Sequence, residues 1–304
     1  MKLFSTNGDN INQINEKSFN LEKDIQSITE MNMDKVFGLE FVKSEYSLNN
    51  FRLDSLCFDT KTNSFVIIEY KNTKNFSVID QGYSYLSLML NNKAEFVLLY
   101  NEVMDKNLRK DSVDWSQSKV IFVSPTYTVY QKESINFKDL PIELWEIKQF
   151  ENNTVMYLPI KATKTTESIN TISSVDSTIS IVSKEVKTYS EDEHLNGLPN
   201  NILEMYETIK TEILNLGDVT LKPTKQYIAF VGNKKNIVDF VIKKSKIKVY
   251  INLKYNEIED YKNKVRDVTN IGSWGNGDCE FTYESIDDMD YLLTLVKQSY
   301  KKNG

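Results

Sequence analysis

Residues 51–85 read FRLDSLCFDTKTNSFVIIEYKNTKNFSVIDQGYSY, and the remainder of the chain can be arranged around them. The run Phe65–Tyr70 is apolar and β-branched enough to predict a buried strand. Side chains alternate along a strand, so Glu69 and Lys71 leave one face, about 6–7 Å apart along its axis, while Tyr70 leaves the other. Arg52–Phe58 predicts a second strand, with Leu53, Ser55 and Cys57 on one face and Asp54, Leu56 and Phe58 on the other. Lys61-Thr62-Asn63-Ser64 is polar and turn-forming, so the two strands are expected to make a hairpin. Pairing back across that turn brings Asp54 near Glu69. Two neighbouring carboxylates repel unless a cation lies between them. Oxygen ligands suit a hard divalent ion, Mg²⁺ or Mn²⁺. An acid and an amine sharing one face at the end of a buried strand are costly without a task.

Helices flank this hairpin. Ser77-Val78-Ile79-Asp80 has the spacing of a capping box, with Asp in place of Glu or Gln, and opens a helix to about Asn91. Gln81 falls in its first turn, near the exit of the Glu69–Lys71 strand. Gly82 lowers helix propensity and permits a close approach of helix and sheet. Tyr85, one turn further on, is expected to pack in the core with its hydroxyl satisfied. Upstream, Leu21, Ile25, Ile28 and Met31 recur at helical spacing, and Glu22 and Gln26 flank that stripe four residues apart.

Asp54, fourteen residues and then Glu69-Tyr70-Lys71 resembles the signature of the PD-(D/E)XK nuclease superfamily. The compound pattern Glu22, Arg52-x-Asp54, Glu69-x-Lys71, Gln81-Gly82-x-x-Tyr85 is more specific than the bare D…ExK spacing. The resemblance covers residues 20–100 well and the rest loosely. It implies an α/β restriction-endonuclease-like core with a mixed sheet. Asp54 and Glu69, aided by the Tyr70 carbonyl, would hold Mg²⁺ or Mn²⁺, and Lys71 would position or activate the attacking water. Gln81 would orient water or phosphate, Glu22 would complete the outer shell, and Arg52 would contact the nucleic acid. The implied activity is metal-dependent hydrolysis of DNA phosphodiester bonds leaving a 5′-phosphate, in repair, restriction or phage defence. A homodimer is expected, because cutting both strands commonly takes two sites. The alternative is a nuclease-like module that binds nucleic acid or protein without catalysis, against which the complete Asp/Glu/Lys set weighs.

The 304 residues suffice for two domains, and 17 Tyr with 15 Phe exclude a disordered chain. No apolar run approaches the roughly 18–20 residues of a membrane span, and MKLFSTNGDN lacks a signal-peptide core. Two cysteines, Cys57 and Cys279, suggest a reducing cytoplasm and no disulfide frame. A single histidine, His194, excludes His-based metal sites and triads. The net charge of −6 argues against a broad basic DNA-binding face.

In chain order, residues 1–15 predict a short strand or arm, and Phe37–Tyr46 a first strand. Glu95–Tyr100 (EFVLLY) and Lys119–Ser124 predict two more, and LWEIKQF-ENN-TVMYLPI a hairpin turning at Asn152-Asn153. Trp115 and Trp145 are read as core or rim aromatics. Residues 1–160 thus form an α/β domain. Residues 161–198, rich in Ser and Thr, are read as a linker or arm in which the alternating Ile169, Ile172, Ile179 and Ile181 permit a strand or a docked segment. Residues 199–304 predict a smaller α+β accessory domain for nucleic-acid binding, dimerisation or regulation. In it, Ile202, Tyr206, Ile209 and Ile213 mark a helix, followed by a three-strand meander, a helix over Glu257–Val268, the strand CEFTY and a closing helix from Asp287 to Tyr300. Its RDVTNIGSWGNGD stretch resembles an uncharacterised C-terminal domain of bacterial proteins, sometimes fused to nuclease-like domains. Those relatives often carry His where Ser273 stands here. Lys244, Lys246 and Lys248 alternate onto one strand face and are candidates for phosphate contacts, with a solvated, edge-protecting face as the other reading. Trp274 between glycines could stack on a base or anchor its loop.

Overall fold

Every residue of Ser64–Tyr70 is buried, because this strand runs through the middle of a sheet covered on both faces. The structure is a computed structural model that describes residues 2–72, 77–137, 139–161, 177–233, 235–271 and 275–304. The chain divides into two compact units, Met1–Thr188 and Tyr189–Gly304.

The first unit opens with the hairpin β1 (Leu3–Asn7) and β2 (Asn10–Ile14). The short β3 (Glu16–Lys17), helices α1 (Glu22–Glu30) and α2 (Met33–Phe37), and strands β4 (Glu40–Leu48), β5 (Phe51–Asp59) and β6 (Ser64–Tyr70) follow. Then come α3 (Val78–Asn91), α4 (Lys93–Met104), β7 (Lys119–Ser124), α5 (Val129–Ser134), β8 (Ile142–Phe150), β9 (Val155–Ile160) and α6 (Ser177–Glu185). The sheet order is β3-β8-β7-β6-β5-β4, with β9 also on β8. β6 and β8 run parallel to β7, and the other pairs are antiparallel, so the sheet is mixed. On one face Leu56, Phe58, Phe65, Ile67 and Phe122 pack against Tyr83, Leu86, Phe96 and Val182 from α3, α4 and α6. On the other, Cys57, Val66, Ile68 and Tyr70 pack against Ile25 and Met33. Trp115 stacks on Phe65 and Trp145 meets the edge of Phe37, as core and rim aromatics.

The expected Phe51–Tyr85 hairpin and helix are present: β5 and β6 pair antiparallel around a turn where Asn63 has φ +50°, and the Ser77 hydroxyl caps α3 by accepting from Asp80 N–H. Two expectations fail here. EFVLLY is part of α4, not a strand; Phe96, Val97 and Tyr100 are buried while Glu95 and Leu98 are exposed, a helical pattern of burial. A six-residue apolar run does not reveal its period. The stripe read on α1 is also displaced: Leu21 and Met31 are the caps and are exposed, whereas Gln26 and Thr29 join Ile25 inside. Of the Ser/Thr-rich stretch, Val182 and Val186 are buried in the first unit's core, with Ile179 packed against them; Ile169 and Ile172 lie outside the described residues.

The second unit comprises α7 (Glu191–Leu195), α8 (Asn200–Leu214), β10 (Thr220–Pro223), β11 (Ile228–Val231), β12 (Asn236–Ile242), β13 (Ile247–Ile251), β14 (Arg266–Asp267), β15 (Cys279–Tyr283) and α9 (Met289–Asn303). Its antiparallel sheet has the order β10-β11-β12-β13-β15-β14. Ile202, Tyr206, Ile209 and Ile213 of α8 and Leu292, Leu295 and Val296 of α9 cover one face. The helix expected over Glu257–Val268 is absent. The Asp260 carboxylate accepts from the N–H groups of Lys262 (3.1 Å) and Val265 (2.7 Å), offering this backbone a local alternative to the helix. Gly272, Ser273 and Trp274 lie outside the described residues.

Candidate active site

Strand register assembles the candidate site. Ser55 pairs with Ile68, and one further step places Asp54 across from Glu69 on the face covered by α3. The Tyr70 N–H donates to Asp54 Oδ2 at 3.0 Å. Glu69 is 3% exposed. Its Oε1 accepts from Lys71 Nζ at 2.6 Å and from Gln81 Nε2 at 2.7 Å, whereas its Oε2 is buried and accepts no hydrogen bond. Gln81 reaches this carboxyl because α3 begins beside the exit of β6. The same amide donates to the Tyr85 hydroxyl at 2.8 Å, and that hydroxyl donates to the Arg52 carbonyl oxygen at 3.4 Å.

Glu22 opens α1 and accepts the N–H of Asn72 at 2.9 Å, tying the helix to the chain leaving β6. Its carboxylate is also near enough to Asp54 to disfavour a second negative charge there. The structure thus gathers Asp54, Glu69, Lys71, Gln81 and Glu22 around one strand end.

The electrostatics of the pair follow from burial. Desolvation, then the charge of Asp54, pushes Glu69 up to about 7 despite the Lys71 ammonium beside it. Asp54 is likewise raised, by burial first and by Glu22, against the opposing pull of the Tyr70 N–H and Lys71. Both carboxylates are held in a place that disfavours their charge, which a bound cation would reverse.

Among the described residues no three His, Cys, Asp or Glu side chains form a ready metal cage. A metal at this strand end would have to be held by the two carboxylates and the Tyr70 backbone carbonyl. That set fits Mg²⁺, which keeps several waters and commonly binds through one or two carboxylates together with substrate phosphate. The unpartnered Glu69 Oε2 is the atom that such an ion would satisfy.

Sequence reasoning underrated three participants. Tyr85 is 5% exposed, as a core residue would be, but its hydroxyl belongs to the Gln81 network. Asn72 contributes through its backbone, which no side-chain pattern reports. Gln26 is 5% exposed and its amide donates to the Asp54 carbonyl oxygen at 3.1 Å; its place four residues after Glu22 was the available signal.

The candidate nucleic-acid contacts are arranged differently from the sequence reading. Arg52 is exposed and pairs with Glu45 at 2.7 Å, where Lys23 also binds at 2.8 Å. Lys244 and Lys246 both lie in the turn before β13 rather than on a strand face, since β13 begins at Ile247, and Lys248 alone of the three is on the strand. Lys246 faces Glu284 at 3.2 Å and Lys248 faces Glu280 at 3.0 Å.

Comparison with known proteins gives a long match in sequence and distant ones in structure. An uncharacterized protein of Haemophilus influenzae is 44% identical over 302 residues, covering 99% of this chain and all of that protein. Residues 191–303 match the family model of a domain of unknown function (DUF5655). Among solved structures, a repair endonuclease from Pyrococcus abyssi matches at 18% identity and a TM-score of 0.23, over 40% of this chain and 45% of that one. SfsA from Pyrococcus furiosus, in complex with Ca²⁺, matches at 11% identity and a TM-score of 0.24, over 48% of this chain and 74% of that one. Neither superposition carries any chemistry across.

Proposed function

We propose that this chain, which belongs to one family with the uncharacterized Haemophilus influenzae protein, is a divalent-metal-dependent phosphodiesterase that acts as an endonuclease on DNA. The observation that carries the reading is the buried, unpartnered Glu69 Oε2 beside Asp54, with the Lys71 ammonium on the neighbouring oxygen. A purely structural ion pair does not call for a second carboxylate there, and burying one raises the cost. The resemblance to PD-(D/E)XK nucleases in the spacing of Glu22, Asp54, Glu69, Lys71 and Gln81 supports the same reading.

Asp54, Glu69 and the Tyr70 carbonyl would hold Mg²⁺ or Mn²⁺, which supplies Lewis acidity toward a phosphoryl oxygen and a more acidic attacking water. The chain's own residues do the rest. Lys71 and Gln81 both donate to Glu69 Oε1, which would leave Oε2 for the ion. The Lys71 ammonium is 17% exposed on its side chain, poised to meet the negative charge that develops on the phosphate during attack. Water would attack phosphorus and lose a proton, the P–O3′ bond would break with the 3′ oxygen taking up a proton and leaving as a hydroxyl, and the downstream fragment would keep a 5′-phosphate, as the family resemblance implies. Arg52 and Lys23 are positioned to exchange Glu45 for a substrate phosphate. With one such centre per chain, cutting both strands would take two copies.

The test is nicking of supercoiled plasmid in Mn²⁺, with EDTA as control. The wild type should nick, and Lys71→Ala should fall at least about a hundredfold while remaining folded. Undiminished metal-dependent nicking in both Asp54→Ala and Glu69→Ala would overturn the proposal.

A further inference from the structure

Asp54 sits at an irregular point in the sheet. Among the described residues, the β4–β5 ladder pairs Ser44 with Ser55 and Tyr46 with Leu53 but passes over Glu45 and Asp54. The β5–β6 ladder begins only at Ser55. Glu45, the residue that would face Asp54 from β4, has φ +51°, a left-handed conformation unusual for a glutamate within a strand. Asp54 thus lacks regular pairing on either side at the position from which its carboxylate must be aimed.

A side chain from another element occupies this gap. Gln26 of α1 is 5% exposed, and its Nε2 lies 3.1 Å from the Asp54 carbonyl oxygen, 3.2 Å from Ser44 Oγ and 2.9 Å from Glu30 Oε1. Its Oε1 accepts from Lys23 Nζ at 3.2 Å. The Glu30 oxygen also accepts from Ser44 Oγ at 2.9 Å and Ser55 Oγ at 2.6 Å, and Ser55 Oγ lies 3.0 Å from the Tyr70 hydroxyl. Behind the carboxylate pair there is therefore a continuous polar network from α1 through β4 and β5 to β6. One turn earlier on the same helix, Glu22 accepts the Asn72 N–H just beyond Lys71.

We infer that Gln26 is a positioning residue for the carboxylate pair: its amide stands in for the missing strand pairing at Asp54 and fixes β5 to α1, while Glu22 of the same helix holds the exit of β6. Its role as a servant of a metal centre rests on the reading in the preceding subsection; its effect on the geometry of Asp54 does not. Gln26 touches neither metal nor substrate and acts through the Asp54 backbone. Outer partners that orient metal ligands typically govern affinity by ten- to a hundredfold.

The test uses the full chain, ¹⁵N-labelled, with Gln26→Met, which keeps length and removes the amide. Gln26→Asn, which keeps the amide but is too short to reach, replaces it if the first variant does not fold, and Ser27→Ala on the same helix is the control. The first readout is the Tyr70 amide resonance, which reports the hydrogen bond to Asp54 Oδ2 and requires no activity. The second is Mn²⁺ affinity by titration calorimetry. The inference expects the Tyr70 amide to move in the Gln26 variant but not in Ser27→Ala, with Mn²⁺ binding weakened about tenfold. A Tyr70 amide that stays in place in the folded Gln26 variant overturns it, as does wild-type Mn²⁺ affinity in that variant. If the wild type binds no Mn²⁺ and nicks no plasmid while the amide still moves, the metal-dependent reading fails and the positioning of Asp54 by Gln26 stands.

Discussion

At the scale of single residues, the site is a balance of burial against charge. Glu69 is raised to about 7 from an ordinary value near 4.5, so between those two pH values the folded protein binds a proton that the unfolded chain does not. Stability of the metal-free protein should therefore fall as pH rises from about 4.5 to about 7, by on the order of 2–3 kcal/mol from this group. Asp239 in β12, buried and also raised to about 7, contributes with the same sign, so the informative quantity is the difference between wild type and Glu69→Gln. Urea unfolding in EDTA at pH 5 and pH 8 should show a smaller loss of midpoint in Glu69→Gln; equal losses in the two proteins would place the titration elsewhere. Metal binding needs the ionised carboxylate, so Mn²⁺ affinity should weaken as pH falls below about 7. Asp54, Glu69, Lys71 and Gln81 were all legible in the sequence, because strand alternation and one helix cap are enough to bring them together. The Gln26 amide was not, because its task is set by a break in a ladder, and backbone conformation at Glu45 leaves no mark in composition.

At the scale of elements, α3 must lie close to the sheet for Gln81 to reach Glu69, and Gly82 is what lets it. A Cβ at Gly82 would come within 2.5 Å of Ile142 Cδ1 and 3.0 Å of its Cγ1. Gly82→Val should therefore displace α3, costing about 1–3 kcal/mol by overpacking. It should also reduce nicking more than that stability loss explains, because Gln81 leaves its carboxylate. Chemical denaturation beside nicking rates checks this, and a variant as active as wild type would show that the close approach is dispensable. The misread elements share a cause. In EFVLLY the one charged residue, Glu95, stands at the edge and leaves an apolar run that does not reveal its period, and in the segment after Glu257 Asp260 captured the N–H groups. The α1 stripe misled because its two ends, Leu21 and Met31, are caps rather than helical positions. Tertiary context and local side-chain bonds decided these cases, and both lie outside what periodicity records.

At the scale of the whole molecule, each unit has its own core, one around Phe65 and Phe122 and the other around Phe230 and Phe240. Two cores predict two thermal transitions. Phe230→Ala, at a fully buried position, should cost about 3–5 kcal/mol and lower one of them. On the proposed reading Mn²⁺ binds the folded first unit, so it should raise the other by mass action. Scanning calorimetry checks both, and a single transition that responds to both changes would contradict separate cores. The chain's excess of acid over base argues against adhesion to DNA through bulk charge, so on the proposed reading recognition would fall to local groups such as Arg52 and Lys23. The proposed function turns on a cation-binding centre at the end of β6. Its most direct measurement is the anomalous scattering of a crystal of this protein soaked in Mn²⁺. A peak within coordination distance of both Asp54 and Glu69 is the predicted result; well-ordered carboxylates with no peak between them, in a crystal that takes up Mn²⁺ elsewhere, would contradict it.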